Sequence, residues 1–272
     1  MARVRVNGVE LFFEMKGEGE PLVLVHGSWG DHLNWQAVVP GLAESFRVLT
    51  YDRRGNSQSE RPGEGLRRDD ENDLAGIMRE LELGPAHVAG NSFGASIVLG
   101  LASRRPELFR SLIVHEPPLL AIVKNPEFSP LMQEVQRKSG LVIERLRAGD
   151  IPGGARQFVE EIALGPGVWD QLPSEVRETF NRNALTWVNE QDDPAWSTVD
   201  LKSLSAFSGP ALLSEGDQSP PFYSVIIRRL AEILKAPRRH VFAGAGHVPH
   251  LTHSDAYVRT LTGFLRDTSS ST

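Results

Sequence analysis

Ala86-His87-Val88-Ala89-Gly90-Asn91-Ser92-Phe93-Gly94-Ala95-Ser96-Ile97-Val98 passes from an apolar run through a turn of small residues into a helix-like segment. It opens with a short run, Ala86–Ala89, of the kind needed by a strand covered on both faces, and from Ala95 to Arg105 it reads as a helix. Between them stands G-x-S-x-G, which sets a serine in a strained strand-to-helix turn. Bulky side chains at positions 90 and 94 would clash with neighbouring backbone, which gives both glycines a physical job. The turn lifts the Ser92 hydroxyl off the sheet edge and sets it at a helix N-terminus, whose free N–H groups favour developing negative charge. Ser92 is the candidate nucleophile. The competing reading is an ordinary turn built from small residues.

Working outward, further apolar runs lie at Pro21–Val25, Phe46–Tyr51, Ser111–Val114, Ala211–Ser214 and His240–Phe242. Two alternating segments, Val4–Val6 and Glu10–Met15, precede them and read as opening strands. Amphipathic stripes lie between: Leu74, Ile77, Met78 and Leu81; Phe222, Val225, Ile226 and Leu230; Tyr257, Val258, Leu261 and Phe264. Strands alternating with such helices predict an α/β fold, a mostly parallel, doubly wound sheet of about eight strands. The interval 117–208 breaks the alternation. Its helical stretches, Pro130–Gln136, Leu141–Ala148, Ala155–Leu164 and Glu175–Asn189, predict a helical cap inserted into a core made of 1–116 and 209–272. Most aromatics of that insertion are expected to pack it onto the body. Trp29 and Trp187 are the candidates for lining a substrate pocket.

The composition narrows the function classes. The 272 residues are 40% hydrophobic and 24% charged, with a formal net charge of −6, so nothing favours nucleic acid globally. The short basic runs Arg53-Arg54, Arg67-Arg68 and Arg228-Arg229 read as solvated surface. Cysteine is absent, which removes disulfides, thiolate metal sites and cysteine nucleophiles and suits a cytoplasmic location. The N-terminus reads as a strand and not a signal peptide, no apolar stretch is long enough to span a membrane, and the polar tail Thr268–Thr272 is expected to fray. No H-E-x-x-H or similar spacing points to a metal, and no glycine-rich loop has nucleotide-binding context, so neither metal nor cofactor is expected.

Three further segments carry chemistry. His26-Gly27-Ser28-Trp29-Gly30 follows Pro21–Val25, and the amides of Ser28 and Phe93 are the expected oxyanion-hole donors. His26 is expected to hold that turn. Tyr51-Asp52-Arg53-Arg54-Gly55-Asn56-Ser57 supplies a D-x-x-G-x-S segment after the fourth strand. With the elbow, these motifs make the chain resemble the α/β-hydrolase superfamily over nearly its whole length, and a helical cap after strand six is that family's habit. The resemblance implies a catalytic histidine after the last strand. His247, in Gly244-Ala245-Gly246-His247-Val248-Pro249-His250, fits, and His250 is expected to pack or face solvent.

The acid departs from the common pattern. Most relatives place an aspartate three residues beyond a glycine after strand seven, but here Gly216-Asp217-Gln218-Ser219 puts a serine there. Glu116, in His115-Glu116-Pro117-Pro118 at the end of strand six, is the preferred acid, with Asp217 as the alternative. Zearalenone-type lactone hydrolases of the same superfamily show a similar His-Glu-x-Pro segment. The expectation is a serine hydrolase acting on a small, largely apolar ester or lactone. Alternatives are carbon–carbon bond hydrolysis on the same triad, cofactor-free oxygen chemistry, and a ligand receptor with a vestigial triad.

Overall fold

In the computed structural model, which describes residues 2–63, 65–124 and 126–269, the apolar runs become strands. These are β1 (Ala2–Val6), β2 (Val9–Lys16), β3 (Glu20–Val25), β4 (Phe46–Tyr51), β5 (Ala86–Asn91), β6 (Phe109–His115), β7 (Ala211–Gly216) and β8 (Arg238–Phe242). The helices are α1 (Val39–Ala43), α2 (Arg67–Glu80), α3 (Phe93–Ala102), α4 (Ser129–Arg147), α5 (Ile151–Phe158), α6 (Ser174–Asp192), α7 (Leu201–Leu204), α8 (Phe222–Ile233), α9 (Pro249–Thr252) and α10 (Ser254–Ser269). Of the polar tail, Thr268 and Ser269 end α10, and 270–272 lie outside the described residues. Among the described residues, no helix is long and apolar enough to cross a membrane.

One eight-stranded sheet runs in the order β1-β2-β4-β3-β5-β6-β7-β8. β2 runs antiparallel to both its neighbours, β1 and β4, and the pairings from β4 through β8 are parallel. The continuous apolar run of β3 explains why: Leu22 and Leu24 face a core with Trp35, Tyr257 and Leu261, while Val23 and Val25 face another with Leu74, Ile77 and Met78. Both faces are buried, as a doubly covered parallel strand requires. Burying each of the α2 residues Leu74, Ile77 and Met78, which have no exposed surface, contributes about 1.5–3 kcal/mol.

Register fixes where the site is. Val25 pairs with Gly90, Gly90 with Val114, and Val114 with Leu213, so four strands end at one level. The chain leaves β3 towards β4 on one side, and β5 lies on the other, so the crevice between β3 and β5 is the sheet's switch point. The loops carrying Ser28 and Ser92 flank that crevice, and those carrying Glu116 and Asp217 leave the same end of the sheet from β6 and β7.

Between β6 and β7 lie α4 to α7. Trp29, Val142, Leu146, Ala155, Val159, Trp169 and Trp187 form a separate apolar cluster that belongs to this insertion, with Trp29 reaching in from the β3 loop. Polar contacts join α6 to the body: Asn183 Nδ2 donates to Gly30 O at 2.8 Å, and Thr186 Oγ1 to Gly55 O at 2.6 Å. α4 is one continuous helix where two stretches were expected. Gly140, the apparent break, costs a helix only about 1 kcal/mol, and the apolar stripe on either side outweighs it. The third expected stretch starts earlier, at Ile151, because Asp150 caps the Gly153 amide at 3.0 Å, and it ends in a π-turn over Val159–Ala163.

Candidate active site

Ser92 links β5 to α3 with φ 55° and ψ −127°, a conformation that costs a non-glycine residue roughly 1–3 kcal/mol. Its neighbours enforce the turn. A Cβ on Gly94 would lie 2.3 Å from Val25 O, and one on Gly90 2.6 Å from the Gly94 carbonyl. The Ser92 amide donates to His115 O at 2.9 Å, which ties the elbow to the end of β6. Ser92 keeps part of its surface accessible, while Asn91 and Phe93 beside it are buried.

His247 follows β8 on a loop held over the elbow: Asn91 Nδ2 donates to His247 O at 2.9 Å. Its ring stacks on Tyr223 of α8 at 4.9 Å and 21° between planes. Nδ1 meets Glu116 Oε2 at 2.7 Å. The other Glu116 oxygen, Oε1, accepts from the Gly216 amide at 2.8 Å. So the carboxylate starts on β6 but sits at the tip of β7. Glu116 is fully buried and has φ 44°, the bend that turns it sideways. Burial alone would raise its pKa. The His247 hydrogen bond and the imidazoles of His115 and His247 outweigh that and hold the carboxyl below its ordinary range.

Asp217 is elsewhere. It is exposed, and its Oδ1 accepts from the Gly244 amide at 2.8 Å, bracing the loop that leads to His247. His250 is fully buried, packed on Trp35 at 4.5 Å, so of the two expected outcomes it packs and does not face solvent. Burial keeps His250 and His115 neutral, the latter pushed down to about 4. Neither competes as a cation for Glu116 at neutral pH.

The Ser28 loop, expected to supply an oxyanion donor, is equally constrained. Gly27 passes so close to the elbow that a Cβ there would lie 2.9 Å from Ser92 Cβ, which brings the Ser28 loop alongside Ser92. His26 holds this turn as expected: Nδ1–H donates to Gly27 O at 2.8 Å, and Nε2 accepts from the Arg53 amide at 3.0 Å. Burial, then the Arg53 charge, lowers its pKa to about 3, so it stays neutral. Asp52 clasps the neighbouring loop by accepting from the His32 amide, the His32 ring and the Gln58 amide. Among the described residues, Asp31, His32 and Asp52 bring ligand-type atoms within 4.8 Å of one another. Those atoms are already engaged by each other and by Leu33, Ser57 and Gln58, which makes the group a loop clasp.

One expectation needs correction. Arg53-Arg54 and Arg67 are not solvated surface: Arg53 has no exposed surface and pairs with Glu190 of α6, and Arg54 binds Asp73 through two nitrogens at 2.7 and 2.8 Å. Sequence reading missed them because a basic dipeptide looks alike whether its carboxylate partners lie far along the chain or are absent. Arg67 is likewise paired with Glu71. Trp29 and Trp187 are buried against each other at 5.1 Å in the insertion's aromatic cluster, with Phe158 stacked on Trp29 at 4.5 Å.

Residues 20–254 match the α/β hydrolase fold family. The chain belongs to the α/β-hydrolase fold family. Matches to several curated relatives span about half of their length or less. One, a 2-hydroxymuconate semialdehyde hydrolase of Pseudomonas sp. (strain CF600), is 40% identical over 39% of this chain and 40% of its own. A zearalenone hydrolase of Bionectria ochroleuca is 24% identical over 93% of this chain and 92% of its own. Among solved structures, an alpha/beta hydrolase from Sphaerobacter thermophilus DSM 20745 superposes with a TM-score of 0.80 at 24% identity, covering 97% of this chain and 100% of that one. In this α/β-hydrolase the elbow, the histidine loop and the β6 acid meet at one end of the sheet.

Proposed function

We propose that this α/β-hydrolase cleaves a carboxylic ester or lactone through an acyl-enzyme on Ser92. The observation that carries the reading is the Glu116–His247 pair, a buried carboxylate fixed by a backbone amide and bonded to Nδ1 of an imidazole that stands over a nucleophile elbow. With Nδ1–H committed to Glu116, Nε2 is left as the base. It takes the Ser92 proton as Oγ attacks the carbonyl carbon, then returns it to the departing alcohol oxygen. The Ser28 and Phe93 amides hold the oxyanion, each such donor being worth roughly 3–4 kcal/mol in a dry site. Water, activated by the same His247, then attacks the acyl carbon and releases Ser92.

In this reading the substrate side extends into a cavity of about 630 Å³ beside α4, lined by Leu120, Ala121, Met132, Ile143 and Trp196 among others and by none of Ser92, His247 and Glu116. Among the described residues lining it, none carries a charge; its polar groups are serine and glutamine side chains. That lining favours an uncharged, bulky, largely apolar substrate, as does the full-length likeness to a zearalenone hydrolase. The insertion serves in this reading as the cap over the substrate. Carbon–carbon bond hydrolysis is the second reading, because relatives named as semialdehyde and heptadienoate hydrolases share the scaffold. Turnover of p-nitrophenyl esters and macrocyclic lactones, with fluorophosphonate labelling of wild type and none of Ser92→Ala, is the expected outcome. Selective turnover of a vinylogous diketone with no ester activity would reverse the order of the two readings.

A further inference from the structure

One buried ion pair outside the Ser92–His247–Glu116 set touches both halves of the oxyanion hole. Glu190 lies on α6 of the insertion, 5% exposed, and its Oε1 accepts from Arg53 Nη2. Its Oε2 accepts from the Ser28 hydroxyl at 2.5 Å. Arg53 in turn lies with its guanidinium 5.1 Å from the centre of the Phe93 ring and bonds Gly27 O at 3.5 Å. Its backbone amide is held by His26, the residue that starts the oxyanion loop. A second carboxylate, Asp70, stands 3.6 Å from Arg53 Nη1 on the far side.

A buried pair is not by itself evidence of function, since such pairs can be replaced by apolar residues without loss of stability. What singles out this pair is where it reaches. Glu190 holds the side chain of one proposed oxyanion donor, and its partner covers the side chain of the other. Both charges are desolvated, so neither tolerates a shift of the other. From this we infer that Glu190 is a positioning residue: with Arg53 it sets the Ser28 and Phe93 amides at the spacing the tetrahedral intermediate needs. Because Glu190 arrives on α6, the oxyanion hole is complete only when the insertion is docked on the body. The inference rests on the acyl-transfer reading above.

The test compares wild type with Glu190→Gln, Glu190→Asp and Ser28→Ala, using p-nitrophenyl ester hydrolysis and inhibition by phenylboronic acid, a tetrahedral mimic. A misplaced oxyanion donor weakens the transition state more than the ground state, so Glu190→Gln is expected to lower kcat about ten- to a hundredfold. The boronate Ki should rise in proportion to the loss in kcat/KM, with KM changed less than about threefold. Glu190→Asp, which keeps the charge but withdraws it by one methylene, should fall between. Ser28→Ala, which removes only the hydroxyl that Glu190 holds, should raise the boronate Ki by roughly three- to tenfold even if the Glu190 variants fail to fold. Folded Glu190 variants with kcat and boronate Ki within twofold of wild type would overturn the inference, as would an unchanged Ki in Ser28→Ala. If wild type neither hydrolyses esters nor labels at Ser92, the acyl-transfer reading itself fails, and the inference falls with it.

Discussion

At the scale of single residues, the acid is the point of interest. Sequence spacing alone left Glu116 and Asp217 open, because both emerge at the same end of the sheet. The register separates them: His115 pairs with Ser214, so a residue just past β6 that turns sideways arrives at the tip of β7. Glu116 makes that turn with a positive φ and reaches His247, whereas Asp217 points to the Gly244 amide. Glu116→Ala should therefore lower kcat on an ester by roughly 10³–10⁴, the scale seen when a triad loses its acid, while Asp217→Ala stays within a few-fold. A collapse in Asp217→Ala with Glu116→Ala near wild type would reverse the assignment. Tyr223, stacked on the His247 ring, had no signal in the sequence, because it lies beside the apolar stripe of α8 and in no motif.

At the scale of elements, β-strands and the elbow were legible because their determinants are local. Apolar runs covered on both faces, and glycines where an added Cβ would lie 2.3–2.6 Å from backbone, leave marks in consecutive residues. The insertion was legible as helical but not in its contacts. Its joints to the body, Asn183 to Gly30, Thr186 to Gly55 and Glu190 to Arg53, join residues more than a hundred positions apart. Trp29 and Trp187 sit in that same joint, and their burial at 2% and 4% predicts a structural cost on truncation. Trp187→Ala is expected to destabilise the protein by about 3–5 kcal/mol, read as a lowered urea midpoint. An unchanged midpoint would mean that the aromatic cluster contributes little to holding the insertion.

At the scale of the whole molecule, the chain concentrates buried charge in the seam between the insertion and the sheet, and this seam should respond to pH. Asp70 has its pKa raised to about 7, first by burial and then by Glu190 and Asp73, against the pull of Arg53 and Arg54. Its ordinary value is 3.8, so between about 4 and 7 the folded state keeps a proton that the unfolded chain has released. The contribution of this group to stability accordingly falls as pH rises through that window. Asp70→Asn removes the titration, so its melting temperature relative to wild type should rise between pH 5 and pH 8; a gap independent of pH would show that Asp70 does not titrate there.

The proposed reaction passes through a covalent acyl-enzyme on Ser92, at the meeting point of β5, β6 and the loop after β8. It is tested most directly by quenching the reaction with a p-nitrophenyl ester in acid within the first turnover and mapping the adduct by peptide mass spectrometry. An acyl group is expected on the peptide carrying Ser92, close to one per chain, and none in Ser92→Ala, which should be inactive. Steady ester turnover with no adduct at Ser92, or a Ser92→Ala variant that retains the wild-type rate, would contradict it.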